Sequence, residues 1–373
     1  MLNDVCALIY AGEDKPDLRE LVLSRSVAAL PVGGRYRAID FLLSGLVNSG
    51  IRNVGIITQK NYKSLIDHLG SGKEWDLSRK TDGLFLLPPF DTRSDSHLYH
   101  DICDAVYSKL DYLHHAPQPY CLLSGSHTVY SADYQQLMKV HLENNADISM
   151  MYNAEPIKEG KSDGAVMLDV DEQGRVRAIE YESNNMGSTA RGMDVYLMSK
   201  ALLEHLVREA DVHSRHRFVP DVLIPALPNL RVHALQHSGY VCRLHSVSDY
   251  YQLNMDLLKE DVRRSLFYTG RPVYTRIKDE PPVRYTEQAQ ADNCLMGDGC
   301  ELYGAVSDSV LFRSVVVGRG ARVKNCIIMH GSAIGEDCEL ENVIIDKYVR
   351  VRKGVRLVGA PDFPVIIRKG AVI

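Results

Sequence analysis

Few side chains in this 373-residue sequence stand at a spacing that by itself predicts chemistry. The eight cysteines include no Cys-x-x-Cys pair, which argues against a zinc site and against a disulfide framework. We expect reduced, mostly buried thiols that behave as small apolar side chains. His330 lies in a repeated segment of a type that sometimes carries an acyltransferase base. A solitary histidine in such a repeat is more often a turn or surface residue, and the sequence favours that interpretation.

The first 250 residues alternate short apolar runs with amphipathic stretches, which is typical of βαβ units. Residues 5–10 read as a buried strand, residues 53–58 as a second one, and residues 120–125 repeat the pattern of a strand that ends in glycine. The sequence therefore predicts a Rossmann-like α/β domain with a mixed, mostly parallel sheet over residues 1–254. A helical and proline-rich connector is expected over residues 255–290.

The C-terminal part of the sequence repeats itself. The similar segments MGDGC, VGRGA, IGEDC and VRKGV begin at residues 296, 317, 334 and 351, which are 21, 17 and 17 residues apart. A second column, at residues 308–311, 325–328 and 342–345, has the same spacing of 17. This period is close to the roughly 18 residues of a coil made of three hexapeptides. We therefore expect a parallel β-helix over residues 291–373.

Charge and hydropathy exclude two classes of partner. The sequence has 43 basic and 48 acidic residues, so its net charge of −5 offers no positive field for a nucleic acid. Its longest apolar runs are strand-sized, well below the ~20 residues of a membrane span. The first residues lack the basic stretch and the apolar stretch of a secretory signal. We expect a cytoplasmic protein with no membrane or nucleic-acid partner.

Several motifs are shared with one enzyme family. They are LPVGGRYRAIDF at residues 30–41, NSGI at 48–51, SLIDHL at 64–69, DAVY at 104–107 and NMDL at 254–257. On these motifs the chain resembles the ADP-glucose pyrophosphorylase family, which makes ADP-glucose for glycogen or starch. The resemblance covers essentially the whole chain. It implies an N-terminal nucleotidyltransferase domain followed by a left-handed β-helix of hexapeptide repeats.

The chain departs from that family where the family binds nucleotide phosphates. Catalytic members carry the loop L-A-G-G-x-G-x-R-L, in which glycines wrap the phosphates and the arginine neutralises them. Here residues 10–18 read YAGEDKPDL, so that Gly12 is retained while Glu13, Lys15 and Asp17 replace the next glycines and the arginine. The family's following lysine corresponds to Val27. The resemblance implies that ATP binds this loop poorly, because acidic side chains repel phosphates.

Both carboxylates that hold the divalent ion in the family are also replaced. The motif L-x-G-D-H reads LSGSH here, so Ser126 stands at the first position, and counting back from the NMDL motif places Arg243 at the second. A cation at the second position repels Mg²⁺. The resemblance thus implies no catalytic residue, no metal and no cofactor in this chain.

The resemblance also indicates where small ligands would bind. Arg25 and Arg37 match family positions that contact a phosphorylated sugar or nucleotide effector, and Arg368 and Lys369 are further basic candidates near the C-terminus. Each could instead be an ordinary surface charge. Thr58 and Gln59 match a pair that faces adenine, although a plain strand end explains them equally well.

These departures resemble the degenerate subunit that some Gram-positive bacteria pair with a catalytic one. They imply a non-catalytic regulatory subunit in a heterotetramer whose catalytic partner holds Mg²⁺ and makes ADP-glucose and pyrophosphate from ATP and glucose 1-phosphate. The alternative is a weakly active or altered-specificity sugar-1-phosphate nucleotidyltransferase. A scaffold or acyl-carrier module is a third possibility that no sequence feature supports.

Overall fold

The computed structural model describes residues 2–89, 99–154, 164–182 and 188–373. Packing divides the chain into two units, one formed by its start through Asp14 with Phe41–Val241, the other by Lys15–Asp40 with Cys242–Ile373. This division differs from the predicted linear boundaries at 254 and 290. The reason is that residues 15–40 hydrogen-bond to the segment after residue 246, as in the contact of the Tyr250 hydroxyl with the Pro31 carbonyl oxygen at 2.8 Å.

The first unit is built on a nine-stranded sheet within the described residues. Its strands are β1 (Val5–Ala11), β2 (Asn53–Thr58), β3 (Gly83–Leu87), β4 (Tyr120–Gly125), β5 (Ile148–Ala154), β6 (Val166–Val170), β7 (Val176–Tyr181), β8 (Ala190–Ser199) and β9 (Val232–His237). All seven residues of β1 are buried, as expected for a strand that is covered on both faces.

The sheet is mixed and mostly parallel, as predicted. Its order is β7-β6-β8-β4-β1-β2-β3, and β5 pairs with β8 and with β9. Strands β4, β1, β2 and β3 are neighbours in parallel, whereas β8 runs antiparallel to β4, β5 and β6. The carboxyl ends of β1 and β4 therefore lie side by side at one edge of the sheet.

Helices connect these strands. They are α1 (Ala38–Ser49), α2 (Lys63–Leu69), α3 (Ile102–Tyr107), α4 (Leu110–His115), α5 (Tyr134–Glu143) and α6 (Lys200–Val212), with a π-helical turn at Phe218–Leu223. Side-chain caps define where some of them begin. Asp133 accepts a hydrogen bond from a first-turn amide of α5, and Ser199 does the same for α6.

The second unit begins with a 3₁₀ helix at Pro16–Val22 and a short hairpin of Pro31–Val32 and Tyr36–Arg37. Helices α7 (Val247–Asp256) and α8 (Glu260–Phe267) follow later in the chain. A capping box fixes the start of α7, because Ser246 and Asp249 each bond to the other's backbone amide. Asn254 is fully buried on α7 and accepts a hydrogen bond from the Gly33 amide at 3.0 Å. This hydrogen bond joins the sequence motif at residues 30–41 to the motif at residues 254–257.

A parallel β-helix completes the second unit, as predicted from the repeats. Three sheets of five parallel strands form its faces. The first contains Arg284–Tyr285, Glu301–Leu302, Val316–Val317, Ala333–Ile334 and Arg350–Val351; the second Gln290–Asp292, Ala305–Ser307, Arg322–Lys324, Glu339–Glu341 and Arg356–Val358; the third Leu295–Met296, Val310–Leu311, Ile327–Ile328, Val343–Ile345 and Val365–Ile367. Its first strand begins at Arg284, ahead of the predicted start at 291.

The 17-residue period sets the register of the coils. Val310 pairs with Ile327, which pairs in turn with Ile344, so that aliphatic side chains stack between coils. Corners fall on residues with left-handed backbone, among them Asp308 and Asn325 with φ of 45° and 51°. Short polar side chains and glycine tolerate this conformation best, which is why they recur in the repeat.

Gly335 tests how closely the coils pack. A Cβ built on this residue would lie 2.7 Å from the backbone of Arg352 and Lys353 in the next coil. We expect Gly335→Ala to lower the free energy of unfolding by about 1 to 3 kcal/mol, because backbone atoms cannot yield. Gly354→Ala is the control for steric contact, since its added Cβ would meet nothing within 4 Å. Any loss of stability in that variant comes from placing alanine at a φ of +74°. Equal losses for the two variants in urea titrations would contradict this packing argument.

The cysteines are free, and six of the eight are buried, as predicted. No described helix is long and apolar enough to cross a bilayer.

Candidate functional site

The Glu13 carboxylate makes three polar contacts at the carboxyl end of the first unit's sheet. It follows β1, and its carboxylate lies beside the end of β4, where parallel-sheet proteins bind ligands. The Ser126 amide donates to Oε1 of Glu13 at 2.5 Å, and the Ser126 hydroxyl donates to Oε2 at 2.8 Å. Nδ1 of His127 lies 3.3 Å from Oε1. The acid predicted to replace a loop glycine is thus bound to the serine predicted to replace a metal ligand.

His127 connects this contact to a third strand. Its Nε2 lies 3.2 Å from Oδ2 of Asp194, so the ring stands between two carboxylates. An ionised carboxylate can accept hydrogen bonds but cannot donate them. Two such neighbours therefore favour a ring that carries protons on both nitrogens. Asp194 lies in β8 with a φ of 52°, at the point where the register of β8 against β5 shifts. Such bulges re-aim a side chain out of the ladder.

The environment of Glu13 keeps its carboxyl group ionised. Burial alone would raise the pKa, because it disfavours the charged form. Hydrogen bonds from His127 and Ser126 outweigh that effect, and the pKa of Glu13 is lowered from its usual value. The Glu13 side chain is only 10% exposed. A negative charge therefore fills this position at neutral pH.

Of the two residues predicted to face adenine, Gln59 is hydrogen-bonded within the chain. The Tyr10 hydroxyl donates to Oε1 of Gln59 at 3.1 Å, and Nε2 of Gln59 donates to the Tyr99 carbonyl at 2.9 Å. A Cβ on Gly12 would stand 2.7 Å from the Tyr10 ring, so glycine is required there by close approach. The Thr58 side chain is buried, and its hydroxyl has no hydrogen-bond partner in the described chain.

The other positions predicted to be degenerate lie in the second unit. Lys15 places its Nζ 3.2 Å from Nδ1 of His245, and Asp17 is exposed in the 3₁₀ helix that follows. Val27 is buried in a short 3₁₀ turn and supplies no charge. Arg243 is also buried, at the end of the strand Val241–Arg243.

The two positions predicted to correspond to metal ligands do not fit Mg²⁺. Ser126 offers a neutral hydroxyl that already donates to Glu13, and Arg243 is a cation. Magnesium requires oxygen ligands, carboxylates above all. Within the described ranges, no three His, Cys, Asp or Glu side chains are grouped so that they could hold a metal ion.

Arg25, predicted as an effector ligand, is committed to an internal ion pair. Its Nη2 lies 2.6 Å and 2.8 Å from the two carboxylate oxygens of Asp346, and Nη1 lies 3.6 Å from Sδ of Met329. The two charged side chains are 2% and 1% exposed. Because the guanidinium is enclosed by these partners, Arg25 is a structural residue of the second unit and we do not retain it as an effector ligand.

A column of basic side chains runs along the β-helix. Arg313, His330 and Lys347 are spaced by 17 residues and each stands two residues after a paired strand position, Leu311, Ile328 and Ile345 respectively. Ile345 pairs with Ile367, so Lys369 continues the column. We call these four residues, Arg313, His330, Lys347 and Lys369, the basic ladder. Adjacent coils are about 4.8 Å apart, which places like charges close together.

Burial and neighbouring cations lower pKa values in the basic ladder. Burial and the neighbouring cations Arg37, Arg25 and Lys369 lower the pKa of Lys347 to about 7. Burial, Lys278 and Lys347 likewise lower the pKa of His330, whose Nδ1 lies 3.0 Å from the Arg313 carbonyl oxygen. His330 lies against the ring of Tyr348 within a column of basic residues. These contacts account for the residue without an acyltransferase role.

Three of the predicted effector residues are associated with this ladder, and the sequence prediction did not include Arg313, His330 or Lys347. Burial is the main cause of the lowered pKa of both Lys347 and Lys278, and the charge of Arg37 contributes to each. Lys369 is in the ladder itself, and Arg368 is exposed beside it. Arg313 is buried, and its Nε has no hydrogen-bond partner in the part of the chain that the structure describes. The spacing of 17 shared by Arg313, His330 and Lys347 was the signal in the sequence.

Comparison with known proteins decides the family. Residues 7–260 match the nucleotidyl transferase family, and residues 281–361 match the GlmU-like C-terminal hexapeptide family. The chain is 35% identical over 377 residues to the glycogen biosynthesis protein GlgD of Bacillus subtilis (strain 168), covering 99% of this chain and 97% of that protein. The chain belongs to the ADP-glucose pyrophosphorylase family. Two glucose-1-phosphate adenylyltransferases are each 32% identical to this chain. The match to the enzyme of Bacillus mycoides (strain KBAB4) covers 93% of both chains. The match to the enzyme of Acetivibrio thermocellus covers 95% of this chain and 84% of that enzyme.

Membership of the ADP-glucose pyrophosphorylase family confirms the fold that the motifs implied. A nucleotidyltransferase domain precedes a hexapeptide β-helix of the left-handed type. The relatives include a glycogen biosynthesis protein and adenylyltransferases, so the chain is related to glycogen biosynthesis and to nucleotidyl transfer.

Proposed function

We propose that this protein is a non-catalytic regulatory subunit of ADP-glucose pyrophosphorylase in glycogen biosynthesis. It would act in the cytoplasm in a heterotetramer with a catalytic subunit that holds Mg²⁺ and converts ATP and glucose 1-phosphate to ADP-glucose and pyrophosphate. The observation that carries the proposal is the ionised Glu13 carboxylate bound to Ser126. A negative charge therefore lies in the loop that matches the phosphate-binding loop of catalytic family members.

Nucleotidyl transfer needs positive charge over the oxygens where negative charge develops. The chain lacks that charge at two matched positions, because Val27 is aliphatic and Asp17 is acidic, and the neutral Ser126 replaces a carboxylate that would hold the metal. Arg243 is charged, but it stands where the family holds the metal and would repel it. These losses act on one reaction, so a single compensating side chain could not restore it.

The basic ladder supports a regulatory role. Arg313, Lys347 and Lys369 bring basic side chains together, and burial, followed by the cations Arg37, Arg25 and Lys369, lowers the pKa of Lys347. A phosphorylated sugar or nucleotide would relieve the repulsion among these cations by supplying negative charge. An effector that binds one state of the complex more tightly shifts the complex toward that state. The proposed effector site therefore consists of the ladder with Arg37 and Arg368.

Lys347 gives this site a measurable signature. Its pKa near 7 in the folded chain leaves it mostly neutral at pH 8, and an anion beside it stabilises the ammonium and raises that pKa. We expect sulfate, which does not titrate near pH 8, to bind at pH 8 with net proton uptake, seen by calorimetry in buffers of different ionisation enthalpy. Lys347→Met should lower that uptake, and the remainder would come from His330, whose pKa is also lowered. Proton uptake of equal size in the variant would contradict the assignment of Lys347 to the site.

The function is tested with three preparations assayed side by side. ADP-glucose formation from ATP, Mg²⁺ and glucose 1-phosphate is measured for this chain alone, for the catalytic subunit alone and for the co-expressed pair. The proposal predicts no turnover by this chain and a pair that is faster, or more sensitive to added phosphorylated effectors, than the catalytic subunit. Co-purification of the two chains is expected at the same time.

Two results would overturn the proposal. Metal-dependent turnover by the isolated chain would favour the alternative, a weakly active or altered-specificity nucleotidyltransferase. Subunits that stay separate on co-expression would remove the partner on which the regulatory role depends.

A further inference from the structure

The contacts of Glu13 have the chemistry of an anion site. Three donors reach one carboxylate, namely the amide and the hydroxyl of Ser126 and a ring nitrogen of His127. The Ser126 side chain is 2% exposed and the His127 side chain 7% exposed, so these donors are withdrawn from water. Oxyanions such as phosphate are bound by the same set of donors, a backbone amide with a hydroxyl and a charged nitrogen.

The donors are held in place independently of Glu13. Ser126 and His127 follow β4, which is paired on both sides by β1 and β8. Asp194 holds the opposite nitrogen of the His127 ring at 3.2 Å. Gly125 allows the approach, since a Cβ there would stand 3.2 Å from both the Glu13 carboxylate and the His127 ring. Glu13, in contrast, comes from the loop that follows β1.

The geometry points to a binding site for a phosphate-type anion, formed by Ser126 and His127, that the chain keeps closed with its own Glu13 carboxylate. Loss of that carboxylate would remove the acceptor that the buried Ser126 amide has now, and one of the two carboxylates beside the His127 ring. Such groups are costly to leave unsatisfied, and an anion from solvent would satisfy them. On this inference, two features would keep the chain from catalysis: residues that the reaction needs are replaced, and Glu13 occupies the anion site.

This inference deepens the proposed function, and its test is separate from it. The regulatory role is measured in the complex, whereas anion occupancy is measured on the isolated full-length chain. Binding of inorganic pyrophosphate without metal is followed by calorimetry in an Arg37→Met and Lys347→Met background, which weakens the basic ladder. Glu13→Ala, Glu13→Gln and the pair Glu13→Ala with His127→Ala are compared with that background.

We expect Glu13→Ala to gain one pyrophosphate site at least tenfold tighter than any binding in the background chain. Glu13→Gln keeps the shape and removes the charge, so a weaker gain is expected. The added His127→Ala should remove the gain. Folding is checked by thermal unfolding of each variant.

Four outcomes would overturn the inference. The first is a folded Glu13→Ala chain with no additional site, and the second is a gain that His127→Ala leaves unchanged. The third is failure of both Glu13 variants to fold, because Glu13 would then be a structural residue and not the closure of a site. A background chain that already binds pyrophosphate as tightly as the variant would equally contradict closure.

Discussion

Replacing Asp346 by asparagine should lower the free energy of unfolding by about 3 to 5 kcal/mol, because Arg25 would remain buried without a counter-charge. The two side chains are 2% and 1% exposed, so water cannot solvate the orphaned guanidinium. Arg25→Met should cost a similar amount by leaving the carboxylate unpaired. The measurement is equilibrium urea unfolding of each variant beside the parent chain.

An exposed ion pair in the same β-helix is the matched control. Lys353 lies 3.0 Å from Glu336, and both side chains are more than half exposed. Glu336→Gln should change the stability by less than about 1 kcal/mol, because solvent screens such pairs. Losses of equal size for Asp346→Asn and Glu336→Gln would contradict the assignment of Arg25 to an internal structural role.

Replacing Arg37 and Lys347 together by methionine should weaken pyrophosphate binding by about a hundredfold. Each bond to a charged group contributes roughly 1.5 to 3 kcal/mol, so each single variant should lose about tenfold. Binding is measured by calorimetry at pH 6.5, where Lys347, with its pKa of about 7, is mostly protonated. The chain with intact Glu13 is used, so that the measurement reports the basic ladder.

Lys353→Met is the control for this experiment, since Lys353 is a basic residue of the β-helix outside the ladder and pairs with Glu336. It should leave the affinity within about twofold. A double variant that binds as tightly as the parent would show that the ladder is not the anion site. A loss in Lys353→Met as large as in the double variant would show only a response to net charge.

The repeat of the β-helix could be predicted from the sequence because each coil obeys a local rule. Aliphatic residues point inward and short polar residues take the corners, as at Asp308 and Asn325, so a period of 17 is visible in the letters. The alternation of strands and helices in the first unit is local in the same sense. The packing of residues 15–40 with α7 is not, because Pro31 and Tyr250 meet through the fold alone.

The candidate site shows the same limit. The motifs identify Glu13 and Ser126 as replaced positions, yet no pattern in the sequence shows that one side chain binds the other across more than a hundred residues. Arg25 matches an effector position by motif, and only the structure shows Asp346 enclosing its charge. Burial and pairing decide whether a basic residue can meet a ligand, and both depend on contacts distant in the chain.

The central claim is that this chain contributes regulation and no chemistry. The most direct measurement is ADP-glucose formation by the co-purified complex in which the catalytic subunit carries an inactivating substitution of a metal carboxylate, so that this chain is the one subunit left to react. We predict no product above the blank at saturating ATP, Mg²⁺ and glucose 1-phosphate, while the complex with an intact catalytic subunit is active. Mg²⁺-dependent formation of ADP-glucose by the inactivated complex would show that Ser126 and Arg243 stand in a working site, and would contradict the account.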